Sequence, residues 1–429
     1  MRGSTPPASR VLRSSRVLVP LPPYRTKIKD KGIIYEVKRP TEESVFESQS
    51  PVSITGVTPL TSYNWIKAPV PTIAVPGSPP LWNPPDAAEI RVKRDVGRYF
   101  IAHNTAHYRK LPLEPLFRAL YLEHPTFDIN SIDIVADRGT LRRLLSFVSP
   151  GYRARKESYI IKVEVRNNTA LFQFVDWRII QNIRPHDLTQ GFGHEFERTF
   201  TTDLVQKSKG HQRILAYRLG GLGFLVRHEL DGYTSSSQDP THLFPVKIPN
   251  KNKVEDKSAL VVVKAGHTVP TQSTLELKTS RYKPTGLLSS SLVMPQLWLS
   301  QTPNLVRARY TAEGVFTPPE VEDMTDRMKA WEERHNTDLR HFVTMLKNII
   351  SAVKKEDTKK AIIKYSAKYK KLHVKKPCRG FRLLPRDLYD RFDQSYNEKP
   401  VGEIERATGE AKGESEERVS KCEEGEKAV

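Results

Sequence analysis

The sequence predicts an α+β fold, because helix and strand signals alternate along the middle of the chain. Residues 111–122 and 140–148 carry apolar side chains at helical spacing, which favours two short helices. Residues 159–165 and 169–175 are rich in β-branched and aromatic residues, and the polar stretch 166–168 joins them. This pattern is typical of a β-hairpin.

The two ends of the chain differ in composition from its middle. Residues 1–85 are basic and contain proline-rich stretches, which predict an extended, disordered arm without long helices. Residues 386–429 form a charged tail with few apolar side chains, a pattern typical of disorder. The 429-residue chain is therefore predicted to contain one folded domain over residues 86–385.

A long helix is predicted over residues 320–355. Apolar residues recur in its second half at helical spacing, which indicates a face packed on the core rather than a partner-binding surface. The residues of this stripe are Leu339, Phe342, Val343, Leu346, Ile349, Ile350 and Val353.

The stretch 354–386 contains thirteen Lys or Arg residues, interleaved with Tyr365, Tyr369, His373 and Phe381. Basic residues with aromatic neighbours can follow a phosphate backbone and stack on bases. A solvated helix followed by a basic tail, with a nuclear-localisation patch, explains the same composition equally well. Both interpretations stay open at the level of sequence.

Two short acidic motifs carry the strongest indication of chemistry. Residues two apart in a strand share a face, so Glu276 and Lys278 are predicted to face one side of a strand. Glu229 and Asp231 are predicted to do the same on a neighbouring strand. Converging carboxylates suit Mg²⁺ or Mn²⁺, and a nearby lysine can orient water or stabilise charge on a phosphate. This arrangement resembles that of PD-(D/E)XK nucleases and indicates hydrolysis of a phosphodiester.

Other segments follow the motif order of one family in that superfamily. Over roughly residues 90–350 the chain resembles the decapping and 5′-3′ exoribonuclease (DXO/RAI-like) family. The segments that carry the resemblance are 138–139, 193–197, 227–231, 275–280 and 298–301. Two departures stand out. His194 lies where the family prefers an apolar or aromatic residue, and residues 306–310 lie where it usually has a Gly-Phe-Arg-Asp-like strand.

The resemblance implies central mixed β-sheets flanked by helices, two divalent ions (Mg²⁺ or Mn²⁺), and removal of incomplete or non-standard caps from RNA, often with 5′-3′ exonuclease activity. The implied metal ligands are Glu197, Asp231, Glu276 and, through its carbonyl, Leu277. The implied catalytic residues are Glu229, Lys278 and Gln301. Lys278 and Gln301 would hold the attacking water, and Glu229 would bind a metal directly or through water. The implied substrate contacts are Arg138, at the scissile phosphate or RNA 5′ end, and Trp298.

The charge balance agrees with an anionic substrate such as RNA. The chain has 69 Lys and Arg residues against 49 Asp and Glu, a formal net charge of +20 and a pI near 9.7. Ribosomal, membrane-surface and scaffold proteins can have a similar balance, so charge alone does not select the class.

Several other features limit the environment and the rival chemistries. Cys378 and Cys422 lack metal-ligand spacing, which argues against structural zinc and fits a reducing compartment. No apolar run reaches membrane-spanning length, so no membrane association is expected. The arginine-rich N-terminus resembles a mitochondrial transit peptide, but its prolines argue against the necessary helix. The nucleus or cytoplasm is therefore expected ahead of the mitochondrion.

A second function class fits the same motifs. Some members of the family act largely by stabilising a partner 5′-3′ exoribonuclease, so the domain could be an RNA-binding or scaffold module with a weak or inactive site. The retained carboxylates favour the hydrolase, because without metal they repel one another and raise one another's pKa.

Overall fold

Two β-sheets with helices packed against them form the fold, so the predicted α+β class is confirmed. The computed structural model describes residues 32–40, 51–149, 157–185, 187, 190–235, 243–247, 259–282 and 290–393. The predictions from sequence for residues 1–31, 41–50 and 394–429 lie outside the described residues.

The larger sheet is mixed and has eleven strands. Numbered along the chain, they are β1 (Ile33–Val37), β2 (Ile54–Ile66), β3 (Thr72–Gly77), β7 (Ile134–Asp137), β8 (Tyr159–Arg166), β9 (Thr169–Phe174), β12 (Ser208–Leu219), β13 (Leu222–Glu229), β15 (Val261–Gly266), β20 (Lys360–Ser366) and β21 (Lys371–Lys375). Their spatial order is β1-β21-β20-β8-β9-β7-β13-β12-β2-β3-β15. Strand β7 runs parallel to both of its neighbours, β9 and β13, so the three strands share one carboxyl end.

The smaller sheet is also mixed. Its strands are β4 (Leu81–Trp82), β5 (Ile90–Arg91), β11 (Thr201–Thr202), β14 (Gly232–Tyr233), β16 (Thr274–Arg281), β17 (Asn304–Tyr310), β18 (Val315–Phe316) and β19 (Val321–Asp323). The order is β11-β4-β14-β16-β17-β18-β5, and β19 also pairs with β17. A separate ribbon consists of β6 (Gly97–Phe100) and β10 (Ile180–Ile183).

The helices of the described residues are α1 (His103–His107), α2 (Glu114–Glu123), α3 (Arg138–Val148), α4 (Gly193–Phe200), α5 (Ser290–Ser300), α6 (Thr325–Arg334), α7 (Asn336–Lys354) and α8 (Arg386–Asp393). Helices α2 and α3 confirm two predicted helices, and β8 and β9 confirm the predicted hairpin. Helices α3, α5, α6 and α7 pack on one face of the larger sheet, and α2 and α8 on the other. None of these helices is long and apolar enough to span a membrane.

The single helix predicted over residues 320–355 is wrong, because two helices meet at His335. Side chains on both sides of this junction bind the backbone just before and at the start of β2. Asn336 bonds both the N–H (3.3 Å) and the carbonyl (2.9 Å) of Val52, and Glu332 accepts from the Ile54 N–H (3.0 Å). The predicted core stripe on α7 is buried, as expected.

The proline-rich arm predicted over residues 1–85 is wrong for residues 33–37, which form β1, and for residues 51–85, which contain β2, β3 and β4. Trp65 and Ile73 are fully buried in the core below the larger sheet. Pro59 is tolerated in β2 because it lies at an irregularity in the register with β12, where an N–H is not needed for the ladder. Proline content alone therefore does not distinguish a disordered arm from a β-strand with an irregular register.

The disordered tail predicted from residue 386 is wrong for its first eight residues, which form α8. Leu388, Tyr389 and Phe392 are buried, and the Tyr389 hydroxyl donates to Glu164 Oε2 at 2.8 Å. The i, i+4 spacing of Leu388 and Phe392 places both on one face, which is sufficient to dock a short helix. The folded unit thus continues to Asp393.

The basic stretch 354–386 is neither a continuous helix nor a loose tail. It contains the hairpin β20–β21, in which Ala361, Ile363 and Tyr365 are buried and alternate with the half-buried residues Lys360, Ile362 and Lys364. This period of two is the pattern of a strand with one buried face. Lysines therefore occupy the opposite face.

Candidate active site

The two acidic motifs meet where the chain passes from the larger sheet to the smaller one. Glu229 is the last residue of β13, and Asp231 lies in the link to β14, which pairs with β16. Glu276 lies on β16. The prediction that the motifs occupy neighbouring strands is therefore wrong, since β13 and β16 belong to different sheets. The Leu277 N–H donates to Asp231 Oδ2 at 2.9 Å and joins the two motifs.

The Lys278 ammonium lies among the oxygen atoms expected to bind metal. It donates to the Leu277 carbonyl at 2.9 Å, contacts Glu276 Oε1, and lies 3.6 Å from Asp231 Oδ2. Burial acts to lower the pKa of Lys278, but Glu276 and Asp231 outweigh it and raise that pKa. The lysine is thus held as a cation at the centre of the cluster.

Glu276 is buried and its two carboxylate oxygens accept from three side chains. Oε1 accepts from Lys278 and Gln296, and Oε2 accepts from Arg138 Nη1 at 3.0 Å. Burial acts to raise the pKa of Glu276, but Lys278 and Arg138 lower it to about 2. Glu276 is therefore ionised at neutral pH.

The other carboxylates of the cluster are less well compensated. Burial, followed by the charge of Glu276, raises the pKa of Asp231 to about 7. Burial, followed by the charges of Asp231 and Glu229, raises the pKa of Glu197 well above its ordinary value. Lys278 therefore does not offset the burial and mutual repulsion of these two carboxyl groups, which favour their protonated forms.

Helix α4 brings Glu197 to the cluster. Asp95 accepts from the N–H groups of His194 (3.3 Å) and Glu195 (2.9 Å), which satisfies free donors at the start of the helix. Phe196 and Phe200 are buried against the smaller sheet in the same hydrophobic cluster as Leu277. The helix is therefore fixed at one end by a distant carboxylate and along its side by apolar packing.

Gln301 does not reach the cluster, so its predicted role is corrected. It follows α5 in a left-handed conformation (φ 50°), and its side chain donates to the Trp298 carbonyl. Gln296, one and a half turns earlier, contacts Glu276, and Ser300 accepts from Arg138 at 3.1 Å. Residues four apart share a helix face, so Gln296 and Ser300 point to the site together. The helical repeat of α5 was the sequence signal that would have selected Gln296 rather than Gln301.

Trp298 is also misassigned as a substrate contact. Its side chain is fully buried, its indole N–H donates to Glu332 Oε2 at 2.7 Å, and its ring packs on Trp331. Two residues along a helix from Gln296, it points to nearly the opposite side of α5. Trp298 holds α5 against α6 and does not face the cavity described next.

A cavity of about 770 Å³ lies at the carboxyl ends of β7, β9 and β13. In open sheets with parallel strands this position is the usual ligand-binding crevice. Arg138, Glu229 and Gln296 line it on the side of the carboxylate cluster. Other lining residues have suitable chemistry but were not predicted from the sequence: His103, Arg142, Arg143, Asp176, Trp177 and Arg178.

Two of these residues are held by specific contacts. His103 Nε2 lies 3.2 Å from Glu229 Oε1, and the side chain of Glu229 is 42% exposed. Arg142 Nη1 donates to Gln296 Oε1 at 2.7 Å, so Gln296 links an arginine to Glu276. The carboxylate cluster is thus continuous with a cavity wall rich in arginine.

Asp176 provides a pH-dependent test of the cavity wall. Burial raises its pKa to about 6, although Thr105 donates to it at 2.8 Å. Because the folded state keeps the proton to higher pH, the free energy of unfolding should fall as pH rises from about 4 to about 6. Asp176→Asn should remove this loss and stabilise the protein at pH 8 by about 1–2 kcal/mol, after allowance for partial exposure.

Urea unfolding of wild type and Asp176→Asn at pH 5 and pH 8 would measure this difference. Asp390→Asn is the control, since Asp390 is an exposed carboxylate on α8. A gain that is equal at both pH values would contradict the assignment.

A divalent ion at the carboxylate cluster would need several oxygen ligands. Among the described residues, no three His, Cys, Asp or Glu side chains are grouped as a ready-made ion site. The donor chemistry nevertheless fits, because Asp231, Glu197 and the Leu277 carbonyl supply oxygen ligands, and the raised pKa values of the two carboxyl groups indicate that a cation would stabilise their ionised forms. The Lys278 ammonium contacts three of the expected ligands, and it would have to withdraw for an ion to bind.

Comparison with solved structures identifies the class of fold. Rai1 of Scheffersomyces stipitis, in complex with (3'-NADP)+ and calcium ion, has a TM-score of 0.52 and 12% identity, with 83% of this chain and 99% of that chain covered. Rai1 of Candida albicans, in complex with pU5-Mn2+, has a TM-score of 0.52 and 12% identity, covering 81% and 97%. The expected DXO/RAI-like fold is therefore confirmed.

The family assignment follows from the sequence itself. The chain belongs to the family described as a domain of unknown function (DUF8563), whose model matches residues 34–392. This match begins within β1 and ends within α8, in agreement with the corrected limits of the folded unit. No curated protein matches the chain.

Proposed function

We propose that this protein is a metal-dependent hydrolase that acts on RNA 5′ ends, by removing incomplete or non-standard caps, by degrading RNA 5′ to 3′, or both. The observation that carries the proposal is the cluster of buried Glu276 with the partly buried Asp231, Glu197 and Lys278, beside an arginine-lined cavity. The fold shared with Rai1, one structure of which contains pU5-Mn2+, supports the same assignment.

Glu197, Asp231, Glu276 and the Leu277 carbonyl would hold Mg²⁺ or Mn²⁺, with Glu229 at the cavity side. When bound, such ions neutralise phosphate charge and lower the pKa of water. Asp231 is already oriented toward the ligand set by the Leu277 N–H.

The protein's own groups would divide the remaining work. Lys278, released from the carboxylates, would orient the attacking water and stabilise charge developing on the phosphate. Gln296 would be the second group at the water, in place of Gln301. Arg138 and Arg142 would bind phosphate oxygens, since guanidinium groups match their geometry.

Purified protein should be incubated with Mn²⁺ and RNAs that carry a 5′-monophosphate, a 5′-triphosphate or a cap. Release of nucleotides or caps that stops with EDTA and is absent in Glu276→Gln would support the hydrolase. Folded protein with no release from any substrate would reject it. That result would favour the alternative function, a module that binds RNA or stabilises a partner exoribonuclease.

Gln296→Ala and Gln301→Ala give a matched pair for the catalytic amide. Gln296 contacts Glu276 and is held by Arg142. Within the described part of the chain, the Gln301 side chain bonds only the Trp298 carbonyl. We expect Gln296→Ala to lower kcat about 10²-fold, by the magnitude typical of a positioned catalytic group, and Gln301→Ala to change it less than about 3-fold. Steady-state kinetics with one RNA would measure both, and the reverse order would restore the sequence-based assignment.

A further inference from the structure

The hairpin β20–β21 carries a basic surface that the proposed active site does not use. In the registers of β20, Ile362 pairs with Lys162 of β8 on one side and with Lys375 of β21 on the other. Lys364 lies two residues from Ile362, so these three lysines share one face of the sheet. We call Lys162, Lys364 and Lys375 the basic hairpin face.

The basic hairpin face has uncompensated positive charge. Burial lowers the pKa of Lys162, and burial followed by the charge of Lys375 lowers the pKa of Lys364. None of the ion pairs between described residues involves these three lysines. By contrast, neighbouring Lys360 and Lys371 contact Glu164 and Glu36. The three lysines therefore differ from these neighbours in having no carboxylate partner among the described residues.

This face begins at the rim of the cavity. The Ala367 N–H, just after β20, donates to Ser158 Oγ at 3.0 Å, and Ser158 lines the cavity. Gln173, which pairs with Lys162 across β8 and β9, also lines it. Phe381 lies against the same face, with the Lys162 ammonium 5.2 Å from its ring centroid. The three lysines, each half-buried, therefore lie on the sheet between the cavity rim and Phe381.

Two exposed aromatic side chains lie near the same rim. Trp177 is 46% exposed and lines the cavity, and the adjacent Arg178 pairs with Glu157, the neighbour of Ser158. Tyr369 is 65% exposed at the tip of the hairpin, with the Lys368 ammonium 5.2 Å from its ring centroid. Exposed aromatics beside a basic track are typical of single-stranded nucleic-acid binding, because bases stack on them.

We propose that the basic hairpin face binds the backbone of a single-stranded RNA whose 5′ end occupies the cavity. This proposal rests on the proposed function for the orientation of the RNA. An acidic peptide would need only the positive charge of this face. The exposed aromatic side chains and the continuity with the cavity therefore favour RNA. The segment singled out in the sequence for phosphate binding thus acts as a sheet face rather than a tail.

The test is binding in EDTA, which prevents turnover. Fluorescence anisotropy would compare 3′-labelled, 5′-monophosphorylated RNAs of three and twenty nucleotides. In Lys364→Gln/Lys375→Gln, the Kd of the long RNA should rise about 10-fold and its salt slope should fall by about 1.4, while the Kd of the short RNA changes less than about 2-fold. Lys329→Gln/Lys347→Gln, at exposed positions on α6 and α7, is the control with equal charge change.

Equal loss for both RNA lengths, no loss for either, or an equal loss in the control would overturn the proposal. Loss confined to a labelled polyglutamate peptide would also overturn it and assign the face to an acidic protein partner. The outcome is separable from that of the proposed function, because binding is measured without hydrolysis. A protein that fails to hydrolyse RNA but shows the length-dependent loss refutes only the hydrolase.

Discussion

Glu276→Gln is expected to lower RNA hydrolysis by at least about 10³-fold. Glu276 is the most strongly ionised carboxylate of the cluster, with a pKa of about 2, and it orders Lys278, Gln296 and Arg138 through its two oxygens. Glutamine keeps the shape of the side chain but removes the negative charge that binds a divalent ion, Lys278 and Arg138. A loss of this size corresponds to about 4 kcal/mol of transition-state stabilisation.

Two measurements separate this effect from unfolding. Mn²⁺ should raise the Tm of wild type by mass action, and the rise should vanish in Glu276→Gln while the variant keeps its circular dichroism spectrum. Glu322→Gln is the matched control, because Glu322, like Glu276, binds an arginine, here Arg307 of the smaller sheet. Hydrolysis within about 10-fold of wild type in Glu276→Gln would contradict the assignment of the site.

The sequence predicted those parts of the site that depend on local spacing. The period of two along β16 places Glu276 and Lys278 on one side of the strand, and the structure brings them into contact. Helix α3 and the hairpin β8–β9 were predictable for the same reason, since burial imposes a short period on a single element.

The errors concern relations between elements. Nothing in the spacing of Glu229 and Asp231 indicates that the chain changes sheet between them. Likewise, Gln296 and Gln301 both lie near Trp298 in sequence, and only the phase and end of α5 decide which amide reaches Glu276. Choosing between such candidates requires the packing partner of each face, which a single sequence does not contain.

Arg227 illustrates a residue whose importance only the fold makes visible. Its fully buried guanidinium bonds both oxygens of Asp137 (2.6 and 3.0 Å), the Tyr63 hydroxyl (3.1 Å) and the Pro112 carbonyl (2.8 Å). Asp137 is the last residue of β7 and directly precedes Arg138. The ion pair therefore fixes the turn from which Arg138 reaches Glu276.

Arg227→Met is expected to destabilise the fold by about 3–5 kcal/mol, because it leaves the Asp137 carboxylate and the Pro112 carbonyl without their buried donor. Urea unfolding would measure the loss, and Arg327→Met, which removes an exposed arginine bound to Glu322, should cost less than about 1 kcal/mol. Adding Asp137→Asn to Arg227→Met removes the unpaired charge and should recover part of the stability. Hydrolysis should stay low in that double variant, since the turn that aims Arg138 is no longer held. Full recovery of both would mean that the pair has no role in positioning Arg138.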